Sequence, residues 1–298
     1  MVRKILFIVN PASETIDNKN LESMISGFAE KYTFKWKVYY TEKTRIEENI
    51  RENIREYNPN TVVAAGGDGT VNLVASQIIG SDIDLGIIPA GSANGLAYNL
   101  NIPADFEGAL KIVLTADAKP IDVVQLNNEN YSLHLSDVGI NARIVKRFEK
   151  EGSKGLLGYG KQMFKELFSK RSDFSFTIDI SGNVSRYTAE MLVIANARCF
   201  GTGAIINPAG QLDDGEFEII IIRPYPWWIL FYLFRMFLFG KLEKLEYIQL
   251  IKAGKAEINF DNPHDLQTDG EIISGVKELK ISVISSALKI RHEQDQNK

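Results

Sequence analysis

The sequence predicts a two-domain chain. An N-terminal doubly wound α/β domain spans residues 1–118, and a β-rich domain, antiparallel and sandwich-like, spans residues 119–284. Three observations lead there. Strand and helix signals alternate through the first third, which implies a mostly parallel sheet covered by helices. From Lys119 onward, short apolar runs succeed one another between Gly, Asn and Asp turns with few crossover helices, as in a sandwich or flattened barrel. The length of 298 residues suits two domains of roughly 100–200 residues each. Residues 285–298 are expected to pack back on the first domain, with the charged end after Lys289 frayed.

Each element follows from local pattern. Lys4–Val9 is a short apolar run closed by Asn10-Pro11, hence a buried strand and a turn. Asn20–Lys31 places Leu21, Met24, Ile25 and Phe28 at helical spacing. Thr33–Tyr40 is aromatic and β-branched, a strand. Arg45–Tyr57 is a polar surface helix with Ile46, Ile50 and Ile54 every fourth residue. Thr61–Ala65 and Asp84–Ile88 are further buried strands, and helices are predicted over Val71–Ile79, Ala93–Leu100 and Asp105–Leu114. In the second domain the strand candidates are Ile121–Leu126, Tyr131–Leu135, Phe174–Ile180, Tyr187–Ala195, Phe217–Ile222, Ala256–Phe260 and Leu279–Ile284. Two helical insertions interrupt them, Ile144–Lys170 and Trp227–Leu242.

Composition removes several function classes. One cysteine, Cys199, rules out an intrachain disulfide framework and a Cys-cluster metal site. Three scattered histidines, His134, His264 and His292, argue against a His-rich metal site, and His134 in its apolar strand reads as a core residue. The net charge of −4 gives no support for nucleic-acid binding. The apolar stretch Ile5–Val9 is too short for a signal peptide, so a reduced, cytoplasmic setting is expected. The run Trp227–Phe239 has twelve apolar or aromatic residues and one Arg in thirteen. It is shorter than the roughly 20 residues that span a bilayer, and reads either as a core helix or as an interfacial one. Asn141–Arg171 carries nine Lys or Arg against three Asp or Glu, a solvated surface or an attraction to anionic headgroups.

The central chemical signal is Gly66-Gly67-Asp68-Gly69-Thr70-Val71-Asn72, between a predicted strand and a predicted helix. Glycines let phosphate approach the backbone, and a helix N-terminus adds positive partial charge. Asp68 inside such a loop would repel phosphate unless a cation such as Mg²⁺ lies between them. The bland alternative is a tight turn whose Asp caps a helix. A second strand-to-turn-to-helix segment, Pro89-Ala-Gly-Ser-Ala-Asn-Gly95, repeats the geometry. In a parallel sheet such loops line one crevice at the carboxyl ends of the strands. Asp213-Asp214-Gly215 and Asp269-Gly270-Glu271 are ordinary hairpin turns taken alone. In concert with the loops they could bind a cation and present a carboxylate to a hydroxyl.

Taken in order, these four segments resemble the diacylglycerol kinase catalytic-domain family of lipid kinases, which includes sphingosine kinases. The first segment alone is shared with NAD kinases and the phosphofructokinase-like group, whose fold the N-terminal domain would share. The resemblance implies an ATP- and Mg²⁺-dependent kinase acting on a lipid hydroxyl, of diacylglycerol or a sphingoid-like acceptor. It implies nucleotide contacts at Asn10, Pro11, Ala12, Ser13 and Thr41. It adds Gly66, Gly67, Asp68, Gly69, Thr70, Val71, Asn72 and Ser92. Glu271 would be the proton acceptor. Asp68 is catalytic either as base or as partner in a metal network. Asp214 would bind a structural Mg²⁺, with Gln211 and Glu216 completing that site through side-chain or backbone oxygens. Peripheral contact with a membrane is implied, and a homodimer is compatible with the family. The chain departs from many bacterial members at Gly95 and Asn141, where they carry acids. An NAD kinase-like enzyme and a catalytically weak lipid- or nucleotide-binding regulatory module are the competing readings.

Overall fold

The computed structural model describes residues 2–13, 20–42, 44–92, 94–139, 173–199, 205–226 and 246–293. The chain divides into two compact units, Met1–Ile121 with Ser286–Lys298, and Asp122–Ser285.

The first unit is built on four parallel strands, β1 (Arg3–Val9), β2 (Phe34–Tyr40), β3 (Thr61–Gly66) and β4 (Asp84–Pro89), in the lateral order β4-β3-β1-β2. The helices are α1 (Leu21–Tyr32), α2 (Ile46–Tyr57), α3 (Asp68–Ser76), α4 (Gly95–Asn99) and α5 (Phe106–Thr115). β1 and β3 lie in the middle of this order. Ile5 through Val9 and Val62 through Ala65 are fully buried, as continuous apolar runs in a sheet covered on both faces must be. At the far side β2 keeps only Phe34 buried, and Lys35 and Lys37 blunt it. The α2 periodicity buries Ile50, and Asp105 caps α5 by accepting the Gly108 N–H at 2.8 Å.

The sheet of this unit is completed from the far end of the sequence. The last strand, β14 (Glu271–Arg291), ends in the first unit, where Lys289 and Ile290 pair in parallel with Asp84 and Leu85 of β4. The Arg291 guanidinium donates to Asp84 Oδ2 at 2.6 Å and to the Ala116 carbonyl at 2.7 Å. The strand therefore holds its pairing past Lys289, where fraying was expected.

The second unit is antiparallel. It contains most of β5 (Ala118–Leu126), from Asp122 onward, and β6 (Asn130–Ser132), β7 (Leu135–Gly139), β8 (Phe174–Ile180), β9 (Asn183–Ala189), β10 (Met191–Ala195), β11 (Phe217–Ile222), β12 (Ile248–Ala253) and β13 (Lys255–Thr268). The order β12-β11-β10-β7-β13-β14 is joined by β8 and β9 through β13. Period-two alternation makes β11 serve two apolar clusters. Phe217, Ile219 and Ile221 join Phe176, Ile258 and Leu279, while Ile220 and Ile222 join Leu135, Val193 and Tyr225. Burial on both faces is what the sandwich expectation requires.

Several element limits differ from the sequence-based ones. The strand predicted over Tyr131–Leu135 breaks into β6 and the start of β7, because the Leu133 and His134 N–H groups turn to a side chain, that of Asp269. The strand predicted over Tyr187–Ala195 is two strands parted at Glu190, with no Gly or Pro to mark the break. β12 was not anticipated, and α3 begins at Asp68, so most of the glycine segment is helix rather than loop. The predicted insertions Ile144–Lys170 and Trp227–Leu242, and with them Asn141 and the basic and aromatic stretches, lie outside the described residues.

Candidate functional site

In the first unit, the predicted nucleotide positions fall on one rim at the carboxyl ends of the four parallel strands. Backbone bonds tie the loops together in lateral order. Thr41 N–H donates to the Val9 carbonyl at 2.8 Å, Asn10 N–H to Ala65 at 3.0 Å, and Ala90 N–H to Gly66 at 2.8 Å. The chain leaves β1 in opposite directions to β2 and to β3, so β1/β3 is the topological switch point, where ligands of such sheets bind. Asn10 spans it, its Nδ2 donating to Thr70 Oγ1 at 3.4 Å. The Asn10 side chain also accepts the Ala12 N–H at 3.0 Å, and its carbonyl accepts the Ser13 N–H at 3.1 Å, which shapes the Asn10-Pro11-Ala12-Ser13 turn. Pro11, Ala12 and Ser92 are exposed on this rim, and Thr41 is half-buried.

The two glycine segments touch. A Cβ on Gly67 would stand 3.1 Å from the Gly91 Cα, and one on Gly91 would run into Gly67. Only bare backbone allows that approach. Gly67 is extended and serves as N-cap of α3, so the first-turn amides of Asp68, Gly69 and Thr70 precede the intrahelical ladder. Val71 N–H closes the first helical bond on Gly67 O at 3.0 Å, with Val71 buried and Asn72 half-buried behind it. Asn94 adopts a left-handed backbone, φ 55°, and its amide clasps both the N–H and the carbonyl of Gly91 at 2.8 and 2.9 Å.

Asp68 is where the two segments are latched. Its carboxylate accepts the Gly95 N–H at 2.7 Å and the Leu96 N–H at 3.2 Å, satisfying the first amides of α4. Helix capping was the bland alternative for this residue, but the helix capped belongs to the other segment.

In the second unit, Asp269-Gly270 is a hairpin tip between β13 and β14, with Thr268 opposite Glu271. Both tip residues have positive φ, 45° and 97°, the pattern that favours Asp-Gly in two-residue hairpins. Yet Asp269 is buried. Its carboxylate accepts the N–H groups of Leu133 at 2.7 Å, His134 at 3.2 Å and Leu135 at 3.1 Å. Gln267 supports the tip from behind. Its amide oxygen accepts the Gly270 N–H at 2.6 Å, and its nitrogen donates to buried Asp137 at 3.2 Å. Glu271, next to this fixed pair, is exposed. An ordinary turn signal thus becomes a rigid mount for one solvent-accessible carboxylate.

The acidic turn 211–216, where Gln211, Asp214 and Glu216 are expected to bind Mg²⁺, is held by hydrogen bonds and an ion pair of the chain. Asp122 grips the turn, its N–H donating to Leu212 O and its carboxylate accepting the Gly215 N–H, both at 2.6 Å. Asp214 Oδ1 accepts the Glu216 N–H at 3.1 Å, and Oδ2 receives the Lys252 ammonium at 3.0 Å. The same ammonium lies 3.1 Å from Glu218 and 3.9 Å from Glu216. The hydrogen bonds that Lys252 donates to Asp214 and then to Glu218 hold it well above the ordinary lysine value. Among the described residues, no group of three acidic, His or Cys side chains is placed to hold a metal ion. The Asp214 carboxylate is already paired with a cation of the chain itself.

Sequence reasoning missed Asp122, Gln267 and Lys252. Gln267, two residues before Asp-Gly, was within sight of a motif. Lys252 could be found only through its cross-strand partner Glu218, 34 positions away. His134 is a core residue, buried with its ring at the Cys199 carbonyl, and burial pushes the Cys199 thiol up.

The comparisons with known proteins agree with this layout. Residues 4–126 match the diacylglycerol kinase catalytic domain, and residues 136–292 match the YegS C-terminal NAD kinase beta sandwich-like domain. The chain is similar to the lipid kinase YegS of Escherichia coli (strain K12), 29% identical over 258 residues covering 82% of each protein. It is also 29% identical, over 78% of each chain, to a Yersinia enterocolitica protein named "Probable lipid kinase YegS-like". In fold it is similar to a diacylglycerol kinase from Bacillus anthracis str. Sterne, with a TM-score of 0.77 at 22% identity over 98% of this chain and 97% of that one. The chain belongs to the diacylglycerol kinase catalytic-domain family of lipid kinases, and is a phosphotransferase with a YegS-type C-terminal domain.

Proposed function

We propose that the chain transfers the γ-phosphoryl group of ATP to a hydroxyl of a lipid presented at a membrane surface. The observation that carries this reading is the rim of the first unit. Four strand-end loops are laced together there, and two glycine segments meet backbone to backbone. Phosphoryl transfer is chiefly positioning and charge neutralisation, so a cradle of bare backbone amides at a helix start suits it. Bare backbone at Gly67 and Gly91 lets the two segments meet, and the first-turn amides of α3 beside that contact are the groups suited to a nucleotide's phosphates.

Bound ATP supplies the phosphoryl group, and its Mg²⁺ offsets phosphate charge. The chain's own residues do the rest. The amides of Asp68, Gly69 and Thr70 hold phosphate oxygens, and Asn10 and Thr70 keep the switch point at fixed width. Asp68 holds the two glycine segments in register and would, with Mg²⁺ bound, help to hold that ion at the rim. Glu271 takes the proton of the acceptor hydroxyl as its oxygen bonds to phosphorus and the bond to the departing ADP oxygen breaks. The acceptor is a diacylglycerol or a sphingoid-like lipid alcohol, and Gly95 and Asn141 in place of acids favour the second. No described helix is long and apolar enough to cross a membrane, which is compatible with peripheral contact.

The test is a lipid panel with labelled ATP and Mg²⁺. Label in an organic-phase product, lost in both Asp68→Ala and Glu271→Ala while each variant stays folded, is the expected result. Label on NAD, or ATP binding with no transfer to any lipid, would overturn it.

A further inference from the structure

We propose that Lys252 is the resident cation of the acidic turn at residues 213–218, and that this chain organises the turn without a divalent metal ion. The placement is set by the sheet. Glu218 of β11 and Lys252 of β12 are directly opposite in antiparallel register, the arrangement in which opposite charges on a sheet meet. The ammonium then reaches three carboxylates, Asp214 at 3.0 Å, Glu218 at 3.1 Å and Glu216 at 3.9 Å.

Glu218 makes the cation indispensable. Its side chain is buried, and a buried carboxylate is tolerated only when paired and hydrogen-bonded. Lys252 supplies the charge, and Asn207 Nδ2 donates to the other oxygen at 2.5 Å. Asp214 is equally committed, one oxygen to Lys252 and one to the Glu216 amide. A divalent ion on Asp214 would have to displace the ammonium or sit beside it against charge repulsion. Displacement would strand Glu218. The chain thereby confines its need for divalent metal to the ion that accompanies the nucleotide.

The test uses the full chain free of nucleotide, so that its outcome is separate from that of the lipid panel. Thermal unfolding is compared in EDTA and in excess Mg²⁺ at matched ionic strength, for the natural chain, Lys252→Met, Lys252→Arg and Asp214→Asn. The natural chain is expected to show the same Tm in both buffers. Lys252→Met is expected to lose several degrees in EDTA and regain part of that loss in Mg²⁺, and Lys252→Arg to stay near the natural value. Should Lys252→Met fail to fold, the natural chain and Lys252→Arg still decide. A saturable rise of the natural Tm with Mg²⁺ that disappears in Asp214→Asn would overturn the proposal. So would an unchanged Tm in Lys252→Met.

Discussion

The two units build their chemical features from different materials. The rim of the first unit is backbone: glycines, the first-turn amides of α3, and carbonyls that accept from neighbouring loops. The turns of the second unit are side chains holding backbone from afar. Asp269 collects three amides more than 130 positions earlier, Asp122 ties down Gly215, and Lys252 neutralises Asp214 and Glu218. A backbone site tolerates little added volume. A side-chain site tolerates volume and fails when one polar partner is lost. The substitutions below separate these modes of failure.

The largest effect is expected at the proposed proton acceptor of the second unit. Glu271 is exposed, so Glu271→Gln should lower kcat by roughly 10²–10⁴-fold, the usual scale of a lost general base, and should move the Tm far less. Steady-state kinetics beside calorimetry would check both halves. Two residues earlier the balance reverses. Asp269→Ala leaves three amides without their acceptor in a buried setting and should cost about 3 kcal/mol in denaturant unfolding. Turnover should fall with it, because the mount of Glu271 loosens.

The first unit should respond to volume. Gly91→Ala puts a methyl group against Gly67, an overpacking cost of about 1–3 kcal/mol, and should raise the KM for ATP more than it lowers the Tm. Removing polarity should matter less there. Asn10→Ala loses one long side-chain bond to Thr70 and the Ala12 clasp, worth about 1 kcal/mol, and should appear as a modest rise in ATP Kd by calorimetric titration.

The same contrast explains what could be read from the sequence. The first unit was legible because its signals are contiguous. Buried parallel strands are unbroken apolar runs, and the proposed phosphate positions from Gly66 to Asn72 are neighbours in the chain. Its one surprise, Asp68 reaching Gly95, links two segments that the sequence had already marked separately. The second unit was legible in class and blurred in detail. Leu133 and His134 look like strand interior, and nothing local says that their amides serve Asp269. Lys252 looks like any exposed strand lysine until Glu218 is placed opposite. Such pairings are decided by register, and register between strands distant in sequence leaves no local pattern.

The closing strand has a consequence for how the protein is made. Residues 289 and 290 pair with the start of β4, and Arg291 fastens them to Asp84 and Ala116. During synthesis the first unit is translated almost whole and then waits, with β4 unpaired on that side, until some 160 further residues have emerged. The domain begun first is finished last. An unpaired edge invites other strands, so the nascent chain carries an aggregation hazard throughout this interval, and a chain stopped at Ser285 would carry it permanently.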